Sequence, residues 1–270
     1  STRAGIAISK AAADTLKRVS LELGGKGANI IFADADEKAV KRGVIHCMQN
    51  SGQSCNAPTR MMVESSRYAD AVEQAKAAAE ATQVGATTES GRHIGPVVSE
   101  LQFNKIQGLI ETGIKEGATL VAGGLGRPEG MNKGYFVRPT VFADVTPDMT
   151  IYREEIFGPV LTCVRAKDYE EALGLAMDHE YGNGTAIFTR DGDAARDFAN
   201  RINIGMVGVN VPIPVPLAYH TFGGWKKSVF GYLNQHGPGA FKFYTRTKTV
   251  TARWPSGIKE GGEFSIPVME

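Results

Sequence analysis

Residues Ala28–Glu64 read ANIIFADADEKAVKRGVIHCMQNSGQSCNAPTRMMVE. The run Ala28–Phe32 is apolar and of strand length, and Asp34 or Asp36 just after it can cap a helix. Val40, Val44, Ile45 and Met48 follow at helical spacing, and the turn formers Asn50-Ser51-Gly52 stop the helix. Met61–Glu64 is again strand-like. Strands alternating with helices of about a dozen residues predict an α/β fold with an open, largely parallel sheet.

The alternation continues in both directions. Upstream, Ser1 to about Arg18 reads as a helix that Ser1 or Thr2 can cap, with Ile8, Ala12, Leu16 and Val19 near one face. Val19–Leu23 reads as a short strand ending at Gly24-Gly25. Downstream, Ala69–Ala81, Leu101–Glu116, Tyr169–Asp178 and Ala194–Arg201 carry helical patterns. Between them lie the β-rich runs Thr119–Ala122, Pro159–Val164, Thr185–Thr189 and Gly205–Val211. Pro212–Pro216 reads as an extended loop, and Phe241–Trp254, dense in Thr, Val and aromatics, as a long late strand.

Composition excludes several classes of function. Of 270 residues, 42% are hydrophobic and 22% charged, ordinary for a soluble domain with a sizeable core. Thirty basic and 29 acidic residues leave a formal charge of +1, which gives no electrostatic reason for a nucleic-acid or membrane partner. No apolar run is long enough to span a bilayer. The N-terminal residues lack the basic and apolar regions of a signal peptide and an initiating Met, so the chain is expected to begin mid-domain. Three cysteines, Cys47, Cys55 and Cys163, do not make a disulfide framework, and reduced thiols in the cytoplasm are expected.

Three features point to chemistry. Cys55, in Gly52-Gln53-Ser54-Cys55, stands on an irregular, Gly-flanked loop, where a side chain is accessible rather than packed. Cys47 and Cys163 lie in apolar contexts and read as core. Glu22 sits between Leu21 and Leu23 at a strand end, where partial desolvation would raise its pKa toward that of a useful base. Glu154-Glu155-Ile156-Phe157-Gly158-Pro159 sets a carboxylate pair beside an aromatic and a Gly-Pro turn, a combination able to hold a ribose and cover a flat ring. None of His46, His93, His179, His220 and His236 sits in a motif marking a Cys–His pair. Neither H-E-x-x-H nor C-x-x-C spacing occurs, so no metal site is expected. Gly24-Gly25-Lys26-Gly27 lacks phosphate-loop spacing, and no G-x-G-x-x-G follows a strand.

Taken in order, Ser1-Thr2-Arg3-Ala4-Gly5, Glu22-Leu23-Gly24-Gly25-Lys26, Asn50–Cys55, Glu155–Pro159 and Phe222-Gly223-Gly224-Trp225-Lys226-Lys227-Ser228 resemble the aldehyde dehydrogenase superfamily over nearly the whole chain. The resemblance implies oxidation of a small-molecule aldehyde with NAD or NADP, with Cys55 as nucleophile and Glu22 as general base. It implies a cofactor site drawn from Ser1, Thr2, Gly5, Leu23, Glu155 and Phe157. The family's oligomers, dimers or tetramers, imply a homo-oligomer. Residues 1–23 are then a remnant of the nucleotide-binding domain, 24–216 the catalytic domain, and 217–270 the active-site loop and an oligomerisation strand. Most of the Rossmann-type domain would be absent and the isolated chain poorly active. The site is expected at a sheet edge, where the Cys55 loop, Glu22 and the Glu155–Phe157 loop converge.

Two departures from the family stand out. The Cys55 loop has the style of the hydrolytic branch, whereas Asn210–Pro216 through Trp254-Pro255 resembles methylmalonate-semialdehyde dehydrogenases, whose acyl acceptor is coenzyme A. The acceptor is therefore water or coenzyme A, and the thiol loop favours water. Asn183, where the family commonly has Leu, and Val229, where it often has Gly, are expected to alter packing alone. Two other functions compete: a non-catalytic oligomerising fragment, and a cofactor-independent cysteine esterase or thioesterase built on Cys55 and Glu22.

Overall fold

The computed structural model describes residues 1–252. Helix α1 (Thr2–Ala13) opens the chain, with Ser1 Oγ accepting from the Ala4 N–H. It ends well before Arg18, because its apolar side chains find no core. Gly5 is its one buried residue, and Ile8 and Leu16 stand exposed. The strand expected over Val19–Leu23 shortens to β1 (Leu21–Glu22).

The quoted region follows as β2 (Ala28–Ile31), α2 (Ala39–Met48) and β3 (Arg60–Glu64), with β2 and β3 parallel. Neither Asp34 nor Asp36 caps α2; the N-cap is Lys38. Asp36 instead pairs with Arg42 at 2.5 Å, and Asp34 accepts from the Thr189 hydroxyl and the N–H groups of Arg190 and Asp191. Asp34 thereby ties the end of β2 to the chain leaving a neighbouring strand.

Then come α3 (Tyr68–Glu80), α4 (Glu100–Lys115), β4 (Thr119–Ala122), β5 (Thr140–Ala143), α5 (Thr150–Arg153), β6 (Val160–Ala166) and α6 (Tyr169–Met177). They are followed by β7 (Tyr181–Gly182), β8 (Gly184–Phe188), α7 (Gly192–Arg201) and β9 (Met206–Val209). Seven strands form one sheet in the order β4-β5-β6-β3-β2-β8-β9, parallel except for the β4–β5 pair. Side-chain alternation divides the core between the two faces. Ile30, Met62, Phe142, Val164 and Ile187 pack with α4, α6 and α7. Ile31, Met61, Val63, Leu161 and Phe188 pack with α2 and α3. Cys47 and Cys163 are buried in the second cluster, as their apolar contexts predict.

The C-terminal part departs from expectation. Two short strands, β10 (Trp225–Lys226) and β11 (Val229–Phe230), pair antiparallel with β7 and β1. Phe241–Trp254 is not a long strand. Gly237–Tyr244 forms helix α8 with Pro238 in its first turn, and 245–252 belong to no regular element. The last two residues of the expected strand, Arg253 and Trp254, lie outside the described residues. A β-rich composition makes a strand only where a partner offers ladder bonds. Here the Arg18 guanidinium takes the Lys242 and Thr245 carbonyls at 2.8 and 2.7 Å.

Candidate active site

Cys55 lies in the loop between α2 and β3, and the backbone there is unusually constrained. Asn50, Ser51 and Gly52 take φ of 52°, 55° and 69°, three successive left-handed residues. Non-glycine residues adopt that region at a cost and persist there only when their surroundings fix them. Ser51 Oγ donates to the Gly95 carbonyl at 2.6 Å, and Gln53 Oε1 accepts from the Val98 N–H at 2.9 Å. A Cβ on Gly52 would lie 2.0 Å from the Gly158 carbonyl oxygen, so the loop sits directly on the Gly158-Pro159 turn. The half-buried thiol of Cys55 is carried on this platform.

The other motifs converge on it. Gly25 passes so close that an added Cβ would fall 1.8 Å from the Cys55 carbonyl oxygen. The Gly25 N–H donates to Glu155 Oε1 at 2.8 Å. Phe157 has a φ of 58°, and Gln102 Nε2 holds its turn by donating to the Ile156 and Phe157 carbonyls. Ser1, Glu22, Leu23, Cys55, Glu155 and Phe157 together line one cleft of about 640 Å³. Thr2 and Gly5 do not line it. Thr2 Oγ1 donates to the Lys227 carbonyl, and Gly5 packs on Leu23, whose Cδ2 an added Cβ would approach to 2.6 Å.

The cleft stands over the amino ends of the central strands, not at a sheet edge. Glu22–Gly27 leads into β2, the Cys55 loop into β3, the Glu155 turn into β6 and Asn183 into β8. Glu22 is exposed, so the desolvation expected of it is absent in this chain. The Leu23 N–H, bonded to the Ser228 carbonyl at 2.7 Å, secures the strand that carries Glu22 and ties in the Phe222–Ser228 motif.

Electrostatics disfavours a resting thiolate. Burial pushes the Cys55 thiol up, the Asn183 amide opposes this, and the charges of Glu22 and Glu155 push it further up. Burial also raises Glu155, against the pull of the Gly25 N–H and the Lys105 ammonium. Beneath the site, Lys26 is fully buried without a hydrogen-bond partner for Nζ, and burial and then Arg60 lower it to about 7. Asn183, expected to alter packing alone, turns the NH₂ of its side-chain amide toward the Cys55 loop. Its substitution for an apolar residue was the available signal, since a buried amide needs a partner. No histidine is among the residues lining the Cys55 cleft. Among the described residues no group of His, Cys, Asp and Glu is arranged to hold a metal ion, and no helix is long and apolar enough to cross a membrane.

A model of the aldehyde dehydrogenase family matches residues 1–250, and the chain belongs to that family. Malonate-semialdehyde dehydrogenase of Pseudomonas aeruginosa is 45% identical over 255 residues, covering 93% of this chain and 51% of that protein. The crystal structure of a putative methylmalonate-semialdehyde dehydrogenase from Sinorhizobium meliloti, complexed with NAD, matches with a TM-score of 0.92 at 49% identity. That match covers 96% of this chain and 54% of the other. An aldehyde dehydrogenase from Bartonella henselae matches at 56% identity and a TM-score of 0.86, over 90% of this chain and 50% of the other. The chain thus spans about half the length of the relatives it matches.

Proposed function

We propose that this chain carries the thiol half of an NAD(P)-dependent oxidation of a short semialdehyde, with Cys55 as nucleophile and Glu22 as general base. The observation that carries the reading is the shared cleft, in which one accessible thiol meets two carboxylates and an aromatic side chain. A thiol held mostly protonated at rest needs a base to activate it, and Glu22 is on the wall where a base is required. Glu22 accepts the Cys55 proton, and the sulfur forms a bond to the aldehyde carbon while the carbonyl π pair moves to oxygen. The backbone N–H of Cys55 is the donor this chain supplies to that oxyanion.

The residues suit the nicotinamide riboside end of the cofactor. Glu155 Oε1 is fixed by the Gly25 N–H, and Oε2 makes no hydrogen bond among the described residues, leaving an acceptor for ribose hydroxyls. Leu23 and Phe157 offer apolar faces to the ring, and Ser1 closes the same wall. Bound NAD(P)⁺ supplies the hydride acceptor. The resulting acyl group on Cys55 leaves when water or coenzyme A attacks its carbon and the thiolate departs. The relatives' names, malonate- and methylmalonate-semialdehyde dehydrogenase, support a short semialdehyde as substrate.

The test uses purified chain and its Cys55→Ala variant with malonate semialdehyde. Without cofactor, the semialdehyde should slow alkylation of Cys55 saturably, because the hemithioacetal has no free thiol. With NAD⁺ added, any nicotinamide reduction should vanish in Cys55→Ala, and a rate increase with coenzyme A identifies the acyl acceptor. Absence of protection by the aldehyde, or reduction that survives Cys55→Ala, rejects the reading.

A further inference from the structure

Asn183 is a buried residue beside the thiol loop with unspent hydrogen-bonding capacity. It is 7% exposed and stands between β7 and β8, at the amino end of a central strand. The glycines around it fix how its amide points. The position a Cβ would take on Gly25 is 3.4 Å from Asn183 Nδ2 and 1.8 Å from the Cys55 carbonyl oxygen. The corresponding position on Gly224 is 3.6 Å from Asn183 Oδ1. The NH₂ end of the amide therefore faces the Cys55 loop and the oxygen end faces Gly224. The mount is firm: the Gly182 N–H donates to Ser228 Oγ at 3.0 Å, and the Met206 N–H donates to the Asn183 carbonyl at 3.1 Å. Among the described residues no oxygen or nitrogen pairs with the side-chain amide, and its NH₂ is left to the Cys55 loop that it faces.

We propose that Asn183 is a positioning residue for the nucleophile, its side-chain NH₂ donating to Cys55 Sγ and favouring the thiolate over the thiol. A hydrogen bond to a charged acceptor is stronger than one to a neutral acceptor, so the donor acts selectively on the reactive form. The need for it lies in the rest of the cleft. Glu22 from β1 and Glu155 from the turn before β6 both face the thiol, and both disfavour its charge. Lys105 of α4 is spent on the Glu155 carbonyl at 2.7 Å. The Asn183 amide offsets this unfavourable field without adding a charge that would compete for a substrate carboxylate. The functional meaning of this role rests on Cys55 being the nucleophile; the role itself does not.

The experiment is alkylation of Cys55 by iodoacetamide across pH, read by mass spectrometry of the Cys55 peptide, in the intact chain and in Asn183→Leu and Asn183→Asp. Leu keeps the volume and removes the donor; Asp keeps the shape, removes the donor and adds charge. For Asn183→Leu the midpoint of the pH profile should rise by about one pH unit. Thiolate at neutral pH then falls about tenfold, partly offset by higher intrinsic nucleophilicity, so alkylation slows about threefold. Asn183→Asp should move the midpoint further in the same direction. Continued protection of buried Cys47 and Cys163 certifies the fold, and Asp carries the test if Leu does not fold. Midpoints equal to that of the unsubstituted chain overturn the proposal. Because alkylation needs neither aldehyde nor cofactor, that result leaves the dehydrogenase reading standing, and loss of aldehyde protection would leave this one standing.

Discussion

The seven-stranded body from Ala28 to Val209 and the two flanks, residues 1–23 and 210–252, are held in place by different means. In the body, Ile31, Met62, Phe142, Leu161 and Phe188 are wholly shielded from water between helices on both faces of the sheet. The flanks attach to each other through the β1–β11 pair, the Arg18 contacts to α8 and Gln235 Nε2 donating to the Ser20 carbonyl at 3.1 Å, and to the body through the β10–β7 pair. They leave Leu16, Tyr232 and Phe241 largely in solvent. Cys55, Glu155 and Asn183 ride on the body, whereas Glu22 depends on the pairing of Leu21 with Phe230. Cys55 is thus placed by the packed body, and Glu22 by a few hydrogen bonds.

The largest effect that tests this contrast is in the sheet. Phe142→Ala should cost about 3–5 kcal/mol in denaturant unfolding, through lost burial and the cavity left behind. A loss below about 1 kcal/mol would mean that the body is no better packed than its flanks. Next comes Lys26. Its folded value of about 7 lies below the ordinary 10.5, so between those values the unfolded chain binds more protons than the folded one. Stability should therefore rise with pH through that window. Lys26→Met should abolish the rise and stabilise the body on the order of 3 kcal/mol at neutral pH, with the gain fading toward pH 10.5. Parallel pH–stability curves for the two proteins would contradict this. Arg18→Ala should cost only about 1 kcal/mol, with faster hydrogen exchange confined to α8 and the ends of β1 and β11. Exchange that also accelerates in β2 or β3 would show the flank and body to be one cooperative unit. Smallest of all, Phe241→Ala should stay within about 0.5 kcal/mol.

The same contrast separates what the sequence makes legible from what it hides. Helices such as α4 are visible because local period and burial agree in the body. β5 is a short, fully buried run directly after Pro139, which periodicity alone does not assign. β1, β10 and β11 are two residues each and exist only through partners far along the chain, which no local window contains. Phe241–Tyr244 has strand composition yet forms a helix, since among the described residues no strand pairs with it. At the site, Cys55, Glu155 and Phe157 were readable from turn chemistry, and the structure brings them into one cleft with Glu22. The exposure of Glu22 and the reach of Asn183 were not, because both depend on which distant segment lies alongside.

The contact between Gly25 and the Cys55 carbonyl has a consequence for how this protein can change over generations. Every amino acid other than glycine places a carbon where that oxygen already is, so position 25 is closed to drift for as long as the thiol loop keeps its path. Variation is left to the open wall, at residues such as Ser54 and Asn56. Diversification is thereby steered to the rim of the cleft, and the join between the Cys55 loop and the segment leading into β2 is inherited unaltered.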